Sequence, residues 1–221
     1  MGYFTNDDEL TVTNSCCENK AGELAVLRSQ QGRILYIVFS INITMFLIEF
    51  ISGWLARSTA LLADSLDMFG DASVYALTLF VLHKSDRARS GAALVKGIIM
   101  VLFGLLVISD AASKGLLGVQ PEAKWMGFVG LVALIAYLIC FLLLYKHRSA
   151  DLNMHSVWLC SRNDLIANIG VIIAAVLVFY TSSLWPDVII GLVIAVLFLH
   201  SAWLVITEAR KEWLANSTNK V

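Results

Sequence analysis

Proline is nearly missing from this chain, with two in 221 residues, and no Gly/Ser-rich stretch could serve as a linker. That excludes a string of loosely joined domains and favours one compact bundle. Charge is scarce as well. Asp, Glu, Lys and Arg make up 15% of the residues against 58% hydrophobic ones, too apolar for a soluble domain and typical of a polytopic membrane protein. The net charge of −1 says nothing about nucleic acid, but no basic cluster is large enough to hold it, so no such partner is expected. The first thirty or so residues are polar and contain no apolar h-region, so no cleavable signal peptide is expected. The four cysteines, Cys16, Cys17, Cys140 and Cys160, have no spacing that suggests a disulfide framework.

Long apolar runs are abundant. Six of them, near Leu35–Ala56, Leu61–Leu82, Ala92–Ala112, Met126–Tyr145, Val157–Tyr180 and Val188–Ile206, are each long enough to span a bilayer. The expected fold is therefore all-α, an integral membrane six-helix bundle. Residues 1–32 form a polar N-terminal tail, 33–208 the six-span domain and 209–221 a short C-terminal tail. Lys20, Arg28, Arg33, Lys84, Arg87, Arg89, Lys146, Arg148, Arg210, Lys211 and Lys220 fall on one side of the membrane. Only Arg57, Lys114 and Lys124 fall on the other. This asymmetry puts both termini in the cytoplasm and the chain in the cell membrane, with lipid as its surroundings. Trp54, Trp125 and Trp185 mark the outer boundary, Trp158 and Trp203 the inner one.

The second span breaks the apolar rule. STALLADSLDMFGDASVYALTLFVL carries Asp64, Asp67 and Asp71, and one acid at mid-membrane already costs about 2.5–3.5 kcal/mol on insertion scales. Spacings of three and four residues bring all three to one helical face. The fifth span repeats the device, with Cys160, Asp164 and Asn168 each four apart. At 1.5 Å per residue, Asp67 and Asp71 on one helix and Cys160 and Asp164 on its antiparallel neighbour lie towards the middle of a core about 30 Å thick. Two such pairs can make a four-ligand cage for a cation.

Both stretches resemble the cation diffusion facilitator family of divalent-metal/proton antiporters. GWLARSTALLADSLDMFGDAS is similar to the family pattern GWxxxSxALLADxxHMxxD, and DLNMHSVWLCSRNDLIANIGVIIAA to NLNxxxxxxHxxxDxxxSxGVIIAA. LWPDVIIGLVIAVLFLHSAW matches the sixth span in kind. The resemblance covers all six spans and implies metal ligands at Asp67, Asp71, Cys160 and Asp164. Zinc-selective members usually carry His at the positions of Asp67 and Cys160, which leaves the metal's identity open. The family usually also has a soluble cytoplasmic domain after the sixth span. About fifteen residues follow it here, so a short member without that domain is expected, and any homodimer implied by the family would rest on the membrane helices.

Three carboxylates and a thiolate would suit zinc, with sulfur favouring softer ions such as cadmium. Clustered acids hold protons that an arriving dication displaces. The expected activity is therefore efflux of a divalent transition metal, zinc foremost, by proton antiport, with no permanent cofactor. A cadmium, iron or cobalt exporter with the same site is the near alternative. A metal-sensing membrane subunit that does not transport is the distant one. An enzyme is not expected: a membrane thiol oxidoreductase would need a reactive cysteine pair, and only Cys16-Cys17 offers one. Several residues have two readings. Asp64 is a fifth oxygen or an acceptor near the outer mouth, and Asn168 a ligand or a link between helices. Glu49, on one face with Asn42, lines an ion or proton path or merely packs. His155 is an entry ligand or an interfacial residue. Cys16 and Cys17 capture a soft metal in the tail or do nothing. Cys140, with no partner near it in sequence, is expected to be inert.

Overall fold

Helices account for every regular element of the computed structural model, which describes residues 33, 35–81, 86–146 and 154–218, with the backbone alone for 154–164 and a few other positions. The first helix, α1, runs from Leu35 to Leu55. It is followed by α2 (Thr59–Ala76) and a π-helical turn at its end, Leu77–Val81. Then come α3 (Asp86–Leu117), α4 (Ala123–Lys146), α5 (Met154–Thr181) and α6 (Trp185–Thr218). These are the six expected helices in the expected order.

Two are longer than hydropathy suggested. α3 has 32 residues and α6 has 34, because a drop in hydropathy ends a span but not a helix. Residues 209–218, expected as a tail, continue α6, where Ser90 Oγ of α3 donates to Glu212 Oε2 at 3.1 Å. By length and composition α1, α3, α4 and α6 could each cross a membrane. The fully described part of α5, Leu165–Thr181, is apolar but shorter, and the acids on α2 dilute its hydropathy.

Three tight connections gather at one end of the bundle. Each reverses direction through one residue in the left-handed region: Arg57 (φ 54°), Gly118 (φ 67°) and Ser182 (φ 50°). The amide of Ser58 donates to Gly53 O at 2.9 Å and that of Val119 to Lys114 O at 3.3 Å, satisfying carbonyls that the helix ends would leave open. The connections also bond to one another, Glu122 N to Ala56 O at 2.9 Å and Gln120 Nε2 to Ser182 O at 2.8 Å. This short-loop end is a single hydrogen-bonded layer.

Polarity across the bundle runs opposite to that of a soluble protein. Large apolar side chains such as Leu102, Ile135 and Leu197 are exposed, whereas Asn42, Glu49, Ser58, Thr59, Asp64, Ser65, Asn168 and Asp187 are buried. Lipid makes the first arrangement harmless and leaves helices to associate by close fit and interior polar contacts. Among α2 to α6 the most extensive pair, α3 with α6, shows that fit. A Cβ on Gly97 would stand 2.5 Å from Ile206 Cγ1, and one on Gly104 2.5 Å from Leu199 Cδ2. α4 packs on α5, and α2 touches α3, α5 and α6. A cluster of Phe46, Phe50, Phe69 and Phe103, with ring centroids 5.3–6.0 Å apart, ties α1 and α2 to α3.

Candidate metal-transport site

The position of α2 is set at its first turn. Ser58 is the N-cap, and its Oγ accepts from Leu61 N at 3.1 Å. A second cap comes from α6. Asp187 accepts from Ser58 Oγ (2.6 Å), Thr59 N (2.8 Å) and Ala60 N (3.0 Å), so its charge also meets the positive end of the helix dipole. Asp187 is fully buried, which favours its neutral form, while its three donors favour the charged one. One turn further along α6, Gly191 lets the two backbones touch, since a Cβ there would lie 2.7 Å from Thr59 C. From α3, Asp110 accepts from Thr59 Oγ1 at 2.9 Å and pairs with Lys114, which also donates to Thr59 Oγ1 at 3.3 Å. Lys114, beyond the expected end of the third span at Ala112, is a buried last-turn residue of α3, held there by Asp110.

Below that clasp, α2 presents its acids to the interior. Asp64 is fully buried, Asp67 and Asp71 half-buried. Glu49 of α1 is also fully buried, and its carboxyl lies within the electrostatic reach of Asp64 and Asp67. Asp67 interacts in turn with Asp64 and Asp71. The four carboxyls thus lie near enough to one another to interact electrostatically. Among the described residues, neither Glu49 oxygen has a hydrogen-bond partner. Asn42 is 1% exposed and donates to Val38 O (2.9 Å) and Cys140 Sγ (3.7 Å), so it links α1 to α4. Tyr137 of α4 donates to Asp71 Oδ2 at 3.2 Å.

Among the described residues no three His, Cys, Asp or Glu side chains are grouped closely enough to hold a metal ion. Asp67 and Asp71, expected as the α2 half of a cage, lie half-buried one turn apart on α2. The side chains of Cys160, Asp164 and His155 lie outside the described residues, as do Cys16 and Cys17. Asn168, one turn beyond Asp164 on α5, is buried at 1% exposure. Sequence reasoning missed Tyr137, Asp110, Lys114 and Asp187. Asp187 had a signal, an acid following Trp-Pro at a helix start, but that pattern is equally explained by α6's own first turn.

A family model described as the cation efflux transmembrane domain matches residues 35–213. The chain belongs to the cation efflux family. It is 27% identical over 207 residues to the zinc transporter ZitB of Yersinia pestis, a match covering 88% of this chain and 66% of that protein. It is 28% identical to ZitB of Escherichia coli strain K12, covering 82% and 62%. A cadmium, cobalt and zinc/H(+)-K(+) antiporter of Bacillus velezensis is 25% identical, covering 77% and 59%. The chain thus spans about two thirds of the length of such relatives. As a cation efflux protein it is a multi-pass membrane protein, in keeping with its lipid-facing apolar helices.

Proposed function

We propose that this cation efflux chain exports a divalent transition metal, zinc foremost, in exchange for protons. The ion would be held by Asp67 and Asp71 of α2 with Cys160 and Asp164 of α5. The observation that carries the reading is the row of carboxyls on the interior face of α2, inside a bundle whose outward faces carry many large apolar side chains. Such groups are expensive in lipid and persist where an ion or proton passes. The relatives' names point the same way: two are zinc transporters, one a cadmium, cobalt and zinc antiporter. Glu49 and Asp64 extend the row beyond the ion site, and a buried carboxyl such as Glu49, without a hydrogen-bond partner among the described residues, is a resting place for a proton or cation. Exchange requires that the metal-loaded and protonated forms favour opposite-facing states. The Lys and Arg distribution supports a cytoplasmic location of both termini, with the short-loop end outside. We propose a homodimer as well, on the family resemblance.

The sulfur of Cys160 supports a second reading, cadmium as the preferred ion, because thiolate favours soft cations. Uptake of zinc or cadmium into inverted vesicles, read with an internal pH dye, tests both. Metal entry with proton exit is expected. Asp71→Ala and Asp164→Ala should abolish both signals, and Cys160→Ser should weaken cadmium uptake more than zinc uptake. Metal binding without flux would instead identify a sensing subunit.

A further inference from the structure

Between Met126 and Leu144, α4 offers only two side chains other than apolar ones and glycine, Tyr137 and Cys140. Tyr137 is 5% exposed and packed among Met45, Phe46, Met68 and Ala133. A hydroxyl buried there needs a partner. Ser40, Ser73, Ser109 and Thr181 bond to the carbonyl four residues back in their own helices. The phenol is too long for that and crosses to α2, where it donates to Asp71 Oδ2.

We propose that Tyr137 is a positioning residue that sets which ion the site prefers. The inference rests on the reading of Asp71 as a ligand. With the phenol holding Oδ2, the Asp71 carboxylate is restrained from turning to grip an arriving ion with both oxygens. Four-coordinate zinc is content with single oxygens at about 2.0–2.2 Å. Manganese prefers an octahedral oxygen shell and gains from a carboxylate that can turn and give both oxygens. Groups that orient ligands commonly change metal affinity about 10–100-fold. Tyr137 thereby favours the small tetrahedral ion without touching it.

The test is calorimetry on the purified full chain with zinc alone and with manganese alone, alongside visible spectra of the cobalt-loaded protein. The Tyr137→Phe variant keeps the ring and removes one oxygen. Its zinc affinity should fall about tenfold or more while manganese affinity holds or rises, and the intense cobalt bands of a tetrahedral site should weaken. Equal changes for both metals, or none, with an unchanged cobalt spectrum, would overturn the proposal. So would a lowered melting temperature with the metal ratio intact, which would assign the phenol to the α2–α4 contact alone. Asp71→Ala separates the two readings: if it binds zinc as the wild type does, the ion site itself is misplaced, whatever Tyr137 does.

Discussion

Asp67, Asp71 and Glu49 are all acids in the bundle interior, yet their surroundings differ. Asp71 has the Tyr137 hydroxyl. Glu49 has no hydrogen-bond partner among the described residues and is completely buried. A carboxyl in that state costs folding energy, and an uncharged isostere of the same shape should cost no more. Glu49→Gln is expected to melt at the wild-type temperature or a few degrees above it. Its metal flux in vesicles should fall, since stability gained at a functional acid is usually taken from activity. A variant that melts lower would mean that Glu49 is a structural group with a partner after all. The acid strip was legible in the sequence because spacings of three and four have one meaning on a helix. Tyr137 was not legible: a lone tyrosine in an apolar helix has no spacing to be read against, and its partner lies 66 residues away.

At the level of the helix, α2 is fixed by its neighbours more than by its own sequence. Ser58 caps it, but the first two amides of the helix are taken by Asp187 of α6. Asp187→Ala would leave the Ser58 hydroxyl and two buried amides without their acceptor. At about 1–3 kcal/mol for each unsatisfied group, and less than additive, a loss of roughly 2–5 kcal/mol is expected. Asp187→Asn keeps one acceptor oxygen and should lose less; chemical denaturation in detergent would order the two. If Asp187→Ala unfolds as the wild type does, the clasp contributes nothing. The helices themselves were legible from hydropathy, and their ends were not. Hydropathy marks where lipid stops, so it missed the polar last turns of α3 and α6, where Lys114 is held by Asp110 and Glu212 by Ser90.

At the scale of the whole bundle, the proposed exchange sets proton and metal in competition for one row of carboxyls. A site that must shed protons to take a dication binds more weakly in acid. Affinity should fall about tenfold per pH unit for each proton displaced. Zinc calorimetry in buffers of different ionisation enthalpy would count those protons, and a pH-independent affinity would exclude antiport through this site. The short-loop end adds a consequence for biogenesis. Ser58 and Asp187 are 129 residues apart, so the stretch with three acids leaves the ribosome long before the carboxylate that completes its first turn. Until the sixth helix enters the bilayer, that stretch is poorly suited to remain there. The sixth helix therefore settles the membrane placement of the second, and the proposed ion path is complete only once that helix has been made.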